Sequence, residues 1–137
     1  MDPNPKLGPR IKLADFGFSV ITDAENGVGM KVALGTRFFM APELIIGGEL
    51  HTSAIDIWAV GVLAFYLLTY GAYPFPGTTK EVVDNKIKTM EPELHKIRCS
   101  DGDQAAANAI KFIEKCLKKD KADRPSARDL LDDDAWL

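Results

Sequence analysis

Cysteine is scarce in this 137-residue chain, with only Cys99 and Cys116, and two such residues make no disulfide framework. Cys116 falls in a helical pattern and Cys99 beside a polar turn, so both read as reduced thiols of a cytosolic protein. Histidine is equally rare, and the spacing of His51, His95 and the two cysteines fits no metal site. Positive charge is not in excess: 17 Lys and Arg stand against 20 Asp and Glu, a net charge of -3. No nucleic acid or anionic membrane is expected as a partner. The opening MDPNPKLGPR has no apolar core and so does not read as a secretion signal. Internal repeats and low-complexity segments are absent as well.

What the chain has is one long oily stretch, Ile55 to Tyr70, IDIWAVGVLAFYLLTY. Its unbroken apolar part is roughly a dozen residues, short of the ~20 that cross a bilayer, and Asp56 stands at its head. The stretch therefore predicts a buried core helix, greasy all round, that Gly71 terminates. Ile, Val, Trp, Phe and Tyr also favour strands, but the length and the lack of turn residues after Gly61 favour helix. A chain of this size offers little material to cover such a helix on every side, so exposed apolar surface and self-association are expected.

Residues 1–10, with three prolines and a glycine, read as an exposed loop or linker. Ile11 to Ala14 alternates and runs into Asp15-Phe16-Gly17, which predicts a short strand before a turn, paired with Phe18 to Thr22 or with residues upstream. Asp23 to Met30 reads as a mobile surface loop. GTRFFMAPE then predicts an ordered loop entering a short helix with Pro42 in its first turn. Beyond the central helix, Ala72 to Gly77 is a rigid turn. Thr78 and Glu81 have capping-box spacing for a helix from about Thr79 to Lys88. Ser100 and Asp103 repeat that signal before AAANAIKFIEKCLKK, with Lys118 and Lys119 at its favourable dipole end. A charged loop through Arg124 leads to a last helix over Ser126 to Asp133 and the closing Ala135-Trp136-Leu137.

Singly these motifs are weak, but their order is specific. Asp15-Phe16-Gly17 after a short strand, then GTRFFMAPE, then DIWAVG in a buried helix, then a late Arg-Pro-Ser and a terminal Ala-Trp-Leu, resembles the C-terminal lobe of eukaryotic protein kinases. The Gly35-Thr36 pair resembles the serine/threonine class, and the ending LLDDDAWL with the central helix is most similar to the calcium/calmodulin-dependent group. The resemblance implies a mainly α fold, a kinase C-lobe over residues 11–137 with a short β segment before the Asp-Phe-Gly turn and the catalytic-loop side missing. By that resemblance Asp15 is the magnesium ligand, Ala14 lines the ATP pocket, and Phe16, Gly17 and Thr36 belong to the activation segment. Phe16 packs inward, Gly17 lets the loop swing, and Thr36 lines the substrate site. Glu43 and Arg124 form a buried structural ion pair, while Asp56 anchors the catalytic loop through that loop's backbone. Phe39 departs from the tyrosine usual in the class. No Ser, Thr or Tyr lies between Asp23 and Gly35, which leaves Ser19, Thr22 and Thr36 as phosphosites.

The Gly-rich loop, the Val-Ala-Ile-Lys strand, the glutamate helix and the His-Arg-Asp segment have no counterpart in this sequence. No catalytic base is therefore assigned. The resemblance implies a fragment of a serine/threonine kinase that uses ATP and Mg2+, truncated by design, by gene prediction or by gene loss, and inactive alone. Its expected partners are a protein or peptide substrate and the remainder of the kinase domain, or a second copy. The alternative is a non-catalytic interaction module or pseudokinase remnant that uses the helix from Thr79. The expected location is the cytoplasm, with the nucleus as the alternative.

Overall fold

Residues 54–68 contain no proline and a single glycine, and they wind into one 15-residue α-helix. The computed structural model describes residues 12–20, 35–48, 51–98 and 102–132. Among the described residues five α-helices follow one another: α1 Pro42–Ile46, α2 Ala54–Leu68, α3 Lys80–Thr89, α4 Gln104–Cys116 and α5 Ala127–Asp132. Short 3-10 turns at Phe16–Phe18, Arg37–Phe39, Leu94–Lys96 and Lys121–Asp123 punctuate the connections. The 1–10 linker, the Asp23 to Met30 loop, Thr22, Cys99, Ser100, Asp133 and the closing Ala135-Trp136-Leu137 lie outside the described residues.

The fold is mainly α, as expected, and no strand occurs among the described residues. Lys12, Leu13 and Ala14, the described part of the expected β segment, are exposed and unpaired in any ladder. A strand needs a hydrogen-bonding neighbour to persist, and the described residues supply none.

α2 is the central rod, but it is not covered all round. Ile57, Trp58, Gly61, Val62 and Phe65 are buried on one face, while Val60, Leu63 and Leu67 stay exposed on the other, Leu67 at 64%. The buried face packs against α4, which contributes Ala109, Ile113 and Cys116. The crossing is close because Gly61 has no side chain: a Cβ there would lie 2.6 Å from the Cβ of Cys116. α3 closes the core with Val83 and Ile87. Trp58, Val62, Phe65, Ile87 and Ile113 are all fully buried, and burial of such side chains is worth roughly 1.5–3 kcal/mol each. No helix among the described residues is long and apolar enough to cross a membrane.

The helix ends differ in detail from the expected signals. α2 closes with a Schellman motif in which the N–H of Gly71 donates to Tyr66 O at 2.9 Å and that of Tyr70 to Leu67 O at 3.3 Å. The left-handed position belongs to Tyr70, at φ 56°, and Gly71 follows it. α3 is capped by Thr79, whose hydroxyl accepts from the N–H of Val82, so the expected Thr78–Glu81 box is displaced by one residue. α4 is capped by Asp103 itself, which accepts from the N–H of Ala106 at 3.0 Å; it is the cap and not the third residue of a box. A true reciprocal box stands at α5, where Ser126 N–H donates to Asp129 at 2.8 Å and Asp129 N–H donates to the Ser126 hydroxyl at 3.2 Å.

Candidate functional site

Pro42 opens α1 where its missing N–H does no harm, and this sets the next residue, Glu43, in the buried first turn. Arg124 reaches Glu43 from 81 residues away with two parallel bonds, 2.7 and 2.8 Å long. The same guanidinium donates to the carbonyl of Ala54 at 3.0 Å, of Lys118 at 2.8 Å and of Lys119 at 3.2 Å. All five N–H groups are thus satisfied, and Cζ stands 5.0 Å from the Trp58 ring centroid. One side chain ties the start of α1, the start of α2 and the end of the α4 segment together.

The stretch before α1 is held at its other end as well. Arg37 pairs with Asp84 of α3 through a fork of two hydrogen bonds, which raises the Arg37 pKa and lowers that of Asp84. Phe38 stacks on Tyr73 at 4.1 Å and Phe39 meets the edge of the same ring at 6.1 Å. The hydroxyl that tyrosine would carry at position 39 is absent, and the ring is half-buried. Between these anchors and Gly35, Thr36 is exposed; its carbonyl accepts from Phe39 N–H at 3.0 Å while its hydroxyl caps nothing. A threonine hydroxyl is therefore presented to solvent on a fixed platform.

Asp15 sits at φ 61°, ψ 68°, a left-handed conformation that costs a non-glycine residue roughly 1–2 kcal/mol. Phe16 begins the 3-10 turn that follows and is 66% exposed. The expectation that it packs inward is not met, because all nine residues from 12 to 20 are exposed and nothing described covers them. Gly17 has no positive φ, so the freedom expected there is taken up by Asp15 instead. Ala14 and Ser19 are likewise exposed. Asp56, in the first turn of α2, is exposed and has no side-chain partner among the described residues. The structure thus assembles Glu43 with Arg124 and fixes the backbone around Thr36, while Ala14, Asp15, Phe16, Gly17, Ser19 and Asp56 stand in solvent. Thr22 lies outside the described residues.

Magnesium prefers hard oxygen donors, keeps several waters, and is commonly held by one or two carboxylates together with phosphate oxygens. The exposed carboxylate of Asp15 suits one such position. No group of three or more His, Cys, Asp or Glu that could hold a metal occurs among the described residues; of the carboxylates in the expected site, Asp15 is the one that would hold the ion. Bound there, Mg2+ would neutralise charge on ATP phosphates.

Two features carried no sequence signal. The Arg37–Asp84 fork spans a loop and a helix with no periodicity linking them. Lys119, expected at the dipole end of α4, instead turns inward, donating to Ile87 O at 2.8 Å over the Phe75 ring.

The profile of the protein kinase domain matches residues 2–137. Serine/threonine-protein kinase 33 of Bos taurus is 32% identical over 137 residues, 100% of this chain and 27% of its own length. A probable myosin light chain kinase of Dictyostelium discoideum is 32% identical over 127 residues, 93% of this chain and 34% of its own. The Aurora kinase of Saccharomyces cerevisiae is 37% identical over 114 residues, 83% of this chain and 28% of its own. The chain thus spans about a third or less of the relatives it matches.

Proposed function

This chain belongs to the protein kinase family, in its eukaryotic serine/threonine branch, and on that premise we propose that it forms the C-terminal lobe of an enzyme transferring the γ-phosphoryl group of Mg-ATP to Ser or Thr of protein substrates. The observation that carries this reading is the doubly anchored platform of residues 35–43, pinned by Arg37 to Asp84 and by Glu43 to Arg124. Catalysis of phosphoryl transfer is largely positioning and charge neutralisation, so a rigid substrate-side platform is what this half contributes. Asp15 holds the metal, and Thr36 faces the substrate hydroxyl. The chain alone is inactive, because its sequence holds no catalytic base, no phosphate-binding lysine and no Gly-rich loop.

The test compares the chain alone with a chain extended upstream to supply those three parts, each given ATP, Mg2+ and a basic peptide. The extended protein is expected to transfer phosphate and to lose at least about a hundredfold of its rate on Asp15→Asn. The isolated chain is expected to transfer none. Asp15-dependent transfer by the isolated chain would show the inactivity to be wrong, and silence of the extended protein would defeat the kinase reading.

A second reading, a non-catalytic interaction module, rests on the solvent-facing side of α3, where Lys80, Glu81 and Val82 are exposed. Substituting Lys80 and Glu81 should then abolish capture of a specific partner. The uncovered strip of Val60, Leu63 and Leu67 supports association with the remainder of the kinase domain or a second copy. The proposed location is the cytoplasm, with the nucleus as the alternative; fractionation of cells expressing the tagged protein decides it.

A further inference from the structure

Two apolar surfaces of this chain stand uncovered. On α2 the exposed side chains of Val60, Leu63, Leu67 and Tyr70 follow one another at steps of three and four, which makes one stripe along the helix. The exposed carboxylate of Asp56 stands one turn ahead of that stripe. On the segment 12–20, Leu13, Phe16, Phe18 and Val20 are exposed, Leu13 at 86%, and the exposed Lys12 directly precedes them. Neither Lys12 nor Asp56 has a side-chain partner among the described residues. Within one chain the two surfaces do not cover each other, since both are exposed at once.

We propose that two copies of this chain exchange these surfaces, the segment 12–20 of each lying along the α2 stripe of the other, with Lys12 paired to Asp56 across the contact. Charge and length agree with that register. The segment carries its cation at the N-terminal end, and the stripe carries its acid at the same end, so a parallel placement joins the two charges and sets apolar side chains against apolar ones. Lys12 to Phe18 spans at most about 18 Å with the 3-10 turn included, and Asp56 to Leu67 rises about 17 Å. Leu13 to Phe18 thus runs beside Val60, Leu63 and Leu67, and Val20 falls near Tyr70. This exchange, which rests on the association proposed above for the stripe, commits it to one occupant. Pairing α2 with α2 would bury only one of the two surfaces and leave the phenylalanines in water. The contact is made twice about a two-fold axis, so it closes on itself and stops at two copies.

The test measures the mass of the full chain in solution by sedimentation over a concentration series. A monomer–dimer equilibrium is expected, with a Kd on the order of 10 µM. Phe16→Ser with Phe18→Ser, and separately Leu63→Ser with Leu67→Ser, should each leave a monomer; the side chains removed are exposed, and an unchanged helical circular dichroism shows that the fold is kept. Lys12→Glu and Asp56→Lys should each weaken the dimer about five- to tenfold, and together they should restore it. A wild-type chain that stays monomeric overturns the proposal, and so do assemblies that grow beyond two. A dimer that survives loss of the two phenylalanines overturns it in favour of α2 pairing with α2, and charge reversals that fail to rescue each other overturn the register. No phosphate transfer is read, so none of these outcomes bears on the kinase assignment.

Discussion

Arg124 and Glu43 meet as a buried fork, both oxygens of the carboxylate engaged at 2.7 and 2.8 Å, with Arg124 fully covered. Removing one partner of such a pair leaves an uncompensated buried charge, at a cost of about 3 to 5 kcal/mol. Glu43→Gln and Arg124→Met should each lower the unfolding free energy by that amount, seen as a lower urea midpoint with an unchanged slope. Arg124→Lys should fare little better, since an ammonium cannot reproduce five directed donors. The double variant should lose less than the two single losses added together, and full additivity in this cycle would contradict the coupling.

Tyr70 occupies the left-handed position of the α2 cap at φ 56° with its side chain 96% exposed. The strain there costs about 1–2 kcal/mol and the ring returns nothing by burial. Tyr70→Gly should therefore stabilise the chain by about 1 kcal/mol, net of the added freedom of the unfolded state. Thermal melting checks it; an unchanged or lower midpoint would mean the ring has a partner.

Gly61 lets α2 and α4 touch. A methyl group there would meet the Cβ of Cys116 at 2.6 Å and Leu117 at 3.0 Å. Overpacking of this kind costs about 1–3 kcal/mol, more than the roughly 1 kcal/mol of helix propensity that alanine gains. Gly61→Ala should thus destabilise on denaturant titration. Cys116→Ala should not rescue it, because the clash is with Cβ and not with sulfur; a full rescue would place the conflict at the thiol.

How far the chain could be read in advance follows from the range of each interaction. The helices announced themselves: α2 by its apolar run, α4 by Ile110, Ile113 and Cys116 at helical spacing. The caps were legible only to within a residue, because Thr78 and Thr79 offer the same hydroxyl, and the backbone chose Thr79. Likewise Gly71 marked the end of α2, yet the strained position fell on Tyr70. The Glu43–Arg124 pair came from a family resemblance, since no periodicity connects residues 81 apart. Phe16 stands in solvent for a physical reason: an aromatic side chain goes inside only where something covers it, and among the described residues nothing does. The inward turn of Lys119 was invisible, because the chain leaves the helix axis at Leu117 and the dipole rule does not say where it goes next.

Two titratable groups near the α2–α4 crossing, the half-buried Lys119 and the buried Cys116, give stability opposite slopes in alkali. The pKa of Lys119 falls from 10.5 to about 8, chiefly by burial, with Glu91 opposing and Arg124 reinforcing. Between those values the unfolded chain keeps a proton that the folded chain has shed, so stability rises with pH across the window. Cys116 runs the other way: burial pushes its thiol from 9.0 up to about 12. Above about pH 9 the unfolded thiol ionises while the folded one does not, and stability falls. The urea midpoint should therefore climb from pH 7.5 to about 9 and then flatten or drop. Lys119→Met should raise the midpoint at pH 7.5 and remove the climb, and Cys116→Ala should let the climb continue beyond pH 9. A climb that persists without Lys119 would assign the alkaline gain to another group.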